Sequence, residues 1–192
     1  MSSVLLVLDM MNDLVHPDGK LGKGFAGQVA KRDVLSNAAR AIARARRRGM
    51  PVIFVVIGFS PAFEEFPPSS PLLNEPPETR PMLGTWGTQV HDAIKPEPGE
   101  SVVVKHRVSP FYATNLELLL RKRNAEEILL AGVSTDLVVL STAREAHDRD
   151  YRVTVLEDAT AARNQKLHTA AVALLGHTAD VSTVDGALPD DR

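Results

Sequence analysis

The chain alternates between short unbroken apolar runs and longer segments in which apolar residues return every three or four positions. "SVLLVLD" (3–9), "PVIFVVIGF" (51–59), "ESVVVKH" (100–106), "EILLAGV" (127–133), "YRVTVLED" (151–158) and "DVSTV" (180–184) are the runs. A strand covered on one face alternates apolar and polar residues, whereas a continuous run predicts a strand covered on both. Between the first two runs, Val34, Leu35, Ala38, Ala41, Ile42 and Ala45 keep helical spacing. Asp33 is the expected N-cap of that helix and Gly49 its expected stop. Thr114 is placed to cap a helix carrying Leu116, Leu119 and Leu120 and ending near Asn124. Further helices are expected from about Thr135 to Arg149 and near 166–175.

Strand–helix alternation with continuous strands predicts an α/β fold, a parallel sheet with helices on both faces. The segment 60–99 breaks the rhythm. Its "SPAFEEFPPSSPLLNEPPETRP" is proline-rich with little periodicity and reads as one long loop. Loops of that length inside a compact domain are usually functional or mobile. It lies within the alternating pattern and no internal repeat is evident, so one domain spanning 1–192 is the economical reading.

Composition narrows the class. At 192 residues and 44% hydrophobic content the chain can bury a sizeable core. A formal charge of −2 gives no electrostatic reason to expect nucleic acid or an anionic membrane. The "RARRR" run, Arg44 to Arg48, sits on the outer part of a helix and reads as a solvated face. No apolar run approaches membrane-spanning length, and "MSSVLLVLDMMND" reads as a first strand. A soluble, cytoplasmic protein acting on a small molecule is expected. There are no cysteines, which excludes disulfides, cysteine-based zinc sites and a thiolate nucleophile.

In an open parallel sheet, ligands bind beyond the carboxyl ends of the strands. The first strand exits at Asp9, the third at Lys105, and the fourth at the turn from Gly132 to Asp136. Two charges ending buried strands are costly unless they compensate each other, and a paired acid and amine can tune each other for proton transfer. The turn adds backbone N–H groups at a helix start, a usual place to stabilise developing negative charge.

"VLLVLDMMNDLV", "VVVKHRVSPFYATNLELLL" and "ILLAGVSTDLVVLSTAREAHDRDY" resemble the three motif blocks of the isochorismatase-like hydrolase superfamily, over roughly residues 3–175. The resemblance implies a Rossmann-like three-layer α/β/α sandwich with a parallel sheet of about six strands, assembled as a homodimer or homotetramer. It makes Asp9 the catalytic acid/base and Lys105 its charged partner. It matches the Val133–Ser134 bond to one that is cis in the family and aims a backbone N–H at the reacting oxygen. It also places Val138 where the amidase members carry their nucleophilic cysteine.

The reaction expected on that basis is acid/base hydrolysis without a thiol, with water as nucleophile and an enol ether or a small amide or ester as substrate. Phe59, Trp86, Arg107, Phe111 and Asp136 are the candidate pocket residues, with Arg80 or Arg107 available for an anionic substrate. "IGFSPAFEEFPPSS" lacks the Gln and Arg with which isochorismatases hold their substrate, and "GVSTD" differs from their turn. Ser134 or Ser141 could replace the thiol if a base were positioned beside it. The six histidines are scattered and the metal-binding pattern of nicotinamidases is missing, so neither metal nor cofactor is expected. A binding protein that kept the pocket and lost the reaction is the competing reading.

Overall fold

The computed structural model describes residues 2–73 and 76–190. Strands β1 (Ser3–Leu8), β2 (Val52–Ile57), β3 (Ser101–Lys105), β4 (Glu127–Val133), β5 (Arg152–Ala161) and β6 (Asp180–Ser182) form one sheet. Their order is β3-β2-β1-β4-β5-β6, with every neighbouring pair parallel. The helices are α1 (Asn12–Val15), α2 (Ala26–Lys31), α3 (Val34–Arg47), α4 (Leu116–Lys122), α5 (Leu140–His147), α6 (Gln165–Leu175) and α7 (Val184–Ala187).

The continuous apolar strands are divided between two cores by the pleat. Leu5 and Val7 point into a cluster with Ala38, Ala41 and Ile42 of α3. Val4, Leu6 and Leu8 point the other way, into a cluster with Leu116 and Leu120 of α4 and Ala143 and Ala146 of α5. This is the three-layer arrangement expected from the sequence. Each buried Leu or Val contributes roughly 1.5–3 kcal/mol of transfer free energy, so both helix layers are held firmly.

Several local expectations are revised. Asp33 makes no side-chain cap; it adopts a left-handed φ of 53° and links α2 directly to α3. Gly49 does end α3, with φ 66°. Thr114 accepts the Leu116 N–H at 3.1 Å, one residue ahead of the cap position at Asn115. The long loop contains single 3-10 turns at Pro77–Thr79, Trp86–Thr88 and Asp92–Ile94. The helix expected from Thr135 begins with a wide π turn, Thr135–Val139, before α5 proper.

The arginine run is not a uniformly solvated face. Arg44 is buried against Asp185, Asp190 and the Leu188 carbonyl, and Arg46 pairs with Glu97 and Glu100. β5 also continues past the expected end. Between the pairs Leu130–Val155 and Gly132–Thr160 it bulges, and Arg32 donates to the Glu157 and Thr160 carbonyls within that bulge. On β4, Gly132 has φ 139°, and a Cβ there would lie 2.1 Å from the Leu8 carbonyl oxygen. The close approach of β4 to the end of β1 therefore requires glycine.

Candidate active site

The strand order reverses between β1 and β4, because β2 and β3 lie to one side of β1 and β4 to β6 to the other. Crevices for ligands open at such a switch point, outside the carboxyl ends. Asp9 leaves β1 there in a left-handed conformation, φ 52°, which aspartate tolerates better than most residues. Val133 and Ser134 leave β4 beside it, and the peptide bond joining them is cis, as the resemblance implied.

Lys105 ends β3, which is not a neighbour of β1: β2 lies between them. Two strand spacings come to roughly 10 Å, and the extended lysine side chain covers most of that. Its Nζ lies 2.7 Å from Asp9 Oδ2 and 3.0 Å from the Arg107 carbonyl oxygen. Lysine and aspartate are 0% and 2% exposed. Breaking such a buried pair by removing one partner costs about 3–5 kcal/mol, because the survivor remains charged and dry.

The pair is not saturated. Asp9 Oδ1 has no hydrogen-bond partner among the described residues. Burial raises the Asp9 pKa above the ordinary carboxylate value, and Lys105 and the Ile57 N–H offset this only in part. A carboxyl with one free oxygen and a raised affinity for protons is suited to exchanging a proton with a bound molecule.

Asp9 and Lys105 line a cavity of about 90 Å³. That space exceeds what one water needs and suits a small molecule. Ser134, Leu137 and Val138 line it from the turn after β4, at the three-to-four spacing that puts them on one side. Phe66, Leu72, Leu73 and Arg80 enter from the proline-rich segment, Leu21 and Phe25 from the chain after α1, and Arg163 from the chain after β5. The lining is thus largely apolar, with charges at a few fixed points.

Two of those charges are cations without anions. Arg80 stacks its guanidinium 3.8 Å from the Phe66 ring centroid, and its Nε is buried without a partner. Arg163 lies 5.1 Å over the Phe25 ring. Neither forms an ion pair among the described residues. Stacking on a ring face orients a guanidinium and leaves its N–H edge available.

The candidate pocket residues from the sequence lie elsewhere. Phe59 is fully buried behind the lining, with its ring edge-on to Phe66 at 5.2 Å. Trp86 is 48% exposed and packs on His16. Arg107 donates to the Glu65 and His106 carbonyls, so it ties the end of β3 to the proline-rich segment. Phe111 packs between Arg149 and Tyr151 in the core cluster beside α4 and α5. Asp136 does not line the cavity.

Ser134 lines the cavity, but among the described residues no base is hydrogen-bonded to its hydroxyl, and Ser141 does not line it. Among the described residues no group of three or more His, Cys, Asp or Glu is arranged to hold a metal ion. Arg163 escapes the sequence reading because the apolar run of β5 stops at Asp158. With the strand carried to Ala161, the same strand-exit rule points to it.

Comparison with known proteins finds matches over most of the chain. The isochorismatase domain profile matches residues 3–186. A ureidoacrylate amidohydrolase of Methylobacterium radiotolerans is 34% identical over 205 residues, covering 97% of this chain and 80% of that protein. The crystal structure of N-carbamoylsarcosine amidase from Thermoplasma acidophilum is 33% identical, with a TM-score of 0.77 over 96% of this chain and 98% of that one. Pyrazinamidase/nicotinamidase from Streptococcus mutans superposes with a TM-score of 0.80 at 27% identity, covering 94% of this chain and 100% of that one.

Proposed function

This chain belongs to the isochorismatase-like hydrolase family, and from that premise we propose that it hydrolyses a small amide carrying an anionic group, without a covalent thiol step. The observation that carries the reading is the buried Asp9–Lys105 pair, with one Asp9 oxygen unpartnered, in the lining of a cavity shared with two guanidinium groups that form no ion pair among the described residues. Relatives named for amide hydrolysis of ureidoacrylate and N-carbamoylsarcosine support the amide class.

In this mechanism Arg80 and Arg163 hold the anionic end of the substrate and Asp9 faces its carbonyl carbon. Ionised Asp9 takes a proton from water as the water oxygen bonds to that carbon. The carbonyl oxygen gains negative charge, which the backbone N–H groups of the Ser134–Leu137 turn stabilise. Asp9 then returns its proton to the departing nitrogen as the C–N bond breaks, leaving a carboxylic or carbamic acid and an amine. Lys105 keeps Asp9 ionisable despite its burial and favours the charged form during the first step. An enol ether would use the opposite order, with protonated Asp9 delivering its proton to the vinyl carbon first.

The test is turnover of N-carbamoylglycine, ureidoacrylate and nicotinamide by the wild type, Asp9→Asn and Lys105→Met. Faster hydrolysis of the two anionic substrates, strongly reduced in both variants, is expected. Equal rates in all three proteins would overturn the mechanism. An aliphatic Val138 on the cavity wall favours one other reading, a binding protein without turnover. Thermal stabilisation by N-carbamoylglycine with no product over many hours would select it.

A further inference from the structure

The buried ring of His168 has no part in the reaction above. It belongs to α6, is 2% exposed, and is engaged at both nitrogens. Nδ1 lies 2.9 Å from Thr135 Oγ1 and Nε2 lies 2.8 Å from Glu157 Oε1. Glu157 comes from the bulge of β5 and also pairs with Arg32 at 2.5 Å.

The direction of the His168–Glu157 bond follows from charge. Burial works to raise the Glu157 pKa, but hydrogen bonds from His168 and Arg32 outweigh it and the net shift is downward. Glu157 is therefore an ionised, acceptor-only group, and His168 Nε2 must donate to it. Nδ1 is left to the Thr135 hydroxyl, which can donate or accept. The chain of bonds links Thr135 through His168 to Glu157, with Arg32 closing it from the far side.

Thr135 opens the π turn, is fully buried, and turns its hydroxyl to α6 without lining the cavity. Its neighbours Ser134, Leu137 and Val138 are the residues that face in. We propose that His168 is a positioning residue: by fixing the Thr135 hydroxyl from behind, it sets where the Ser134–Val138 turn presents its backbone N–H groups to the cavity. It touches no substrate. The proposal concerns the turn itself and holds whether or not the amide reaction above is correct.

A thiol installed on the turn reads this placement without any substrate. The chain has no cysteine, so Val138→Cys creates a single reporter. A thiol at a helix start is acidified by the first-turn N–H groups in proportion to their alignment. Alkylation by iodoacetamide, followed against pH by intact mass, measures that acidity. Adding Thr135→Val, which keeps the shape and deletes the hydroxyl, should slow alkylation at pH 7 about tenfold and move its midpoint upward. Thr135→Ser should restore the parent rate within about twofold, with the melting temperature similar in all three. An unchanged profile in Thr135→Val, or an equal loss in Thr135→Ser, overturns the proposal.

If Thr135→Val fails to fold, His168→Gln replaces it. That side chain can still reach Glu157 but not Thr135, so the same slowing is expected and an unchanged rate counts against the idea. The folded Val138→Cys protein also answers alone. Nitrogen-15 spectra of labelled histidine should show hydrogen on His168 Nε2 at pH 7, as its bond to Glu157 requires. A ring with hydrogen on Nδ1 alone overturns the proposal.

Discussion

Two buried cations in this protein have opposite surroundings. Arg44 on α3 donates to Asp185, to both oxygens of Asp190 and to the Leu188 carbonyl. Every edge of that guanidinium is occupied, and its acids lie on the chain following β6. Lys105 has one carboxylate, and that carboxylate keeps an oxygen with no partner. The saturated cluster fastens the C-terminal segment to α3. The unsaturated one faces a cavity and has capacity left for a visitor. Burial of charge by itself does not mark a functional site; an unfilled hydrogen-bonding valence beside a cavity does.

Replacing each group in turn should separate the two kinds of cluster. The largest expected effect is Asp9→Asn, which removes the proton acceptor. Turnover of N-carbamoylglycine should fall about 10²–10⁴-fold. Lys105 would be left buried without an anion, so stability should fall too, by about 3–5 kcal/mol. Kinetics together with urea unfolding measure both. Activity within a few-fold of wild type would show that Asp9 is merely the lysine's counter-ion.

Arg80→Gln and Arg163→Gln come next. Each should raise KM for ureidoacrylate by about 10–100-fold, the value of a charged hydrogen bond lost. For nicotinamide, which has no anion, KM should hardly move. A rise shared by both substrates would mean that these arginines shape the cavity and do not read charge.

A smaller effect is expected in the pH profile. In the proposed mechanism Asp9 is a base only when ionised, and burial already raises its pKa. The acid limb of kcat/KM should therefore lie above the ordinary carboxylate range. Lys105 lowers the Asp9 pKa, so Lys105→Met should move whatever activity remains to higher pH. Stability has the opposite sense. A raised folded-state pKa stabilises the protein below the ordinary carboxylate value, and that contribution is lost as pH rises through the folded value. An acid limb that stays in place in Lys105→Met would mean that the ammonium does not tune the carboxylate.

How much of this was legible beforehand depends on the distance over which each residue acts. Asp9 and Lys105 could be found because they end apolar runs, and the end of a run is a local signal. That β2 lies between them is a matter of topology, which periodicity along one chain does not encode. Arg163 was hidden by a bulge that lengthens β5, and His168 by its helix, where a lone histidine reads as ordinary packing. The aromatic candidates failed for a related reason. Phe59 and Phe111 are buried as their composition suggests, but apolarity does not tell a cavity wall from the layer behind it.

The smallest expected change sharpens the contrast most. Arg44→Met removes the saturated cation while keeping much of the apolar stem that packs in the core. Asp185 and Asp190 are largely exposed, so water can take over their hydrogen bonds. The melting temperature should fall by a few degrees, while kcat and KM for N-carbamoylglycine stay within about twofold of wild type. The cluster sits at the C-terminal segment, among residues that do not line the active-site cavity. A selective loss of kcat with an unchanged melting temperature would mean that the fastening of α3 reaches Asp9 and Lys105, and the division between a saturated and an unsaturated charge cluster would fail.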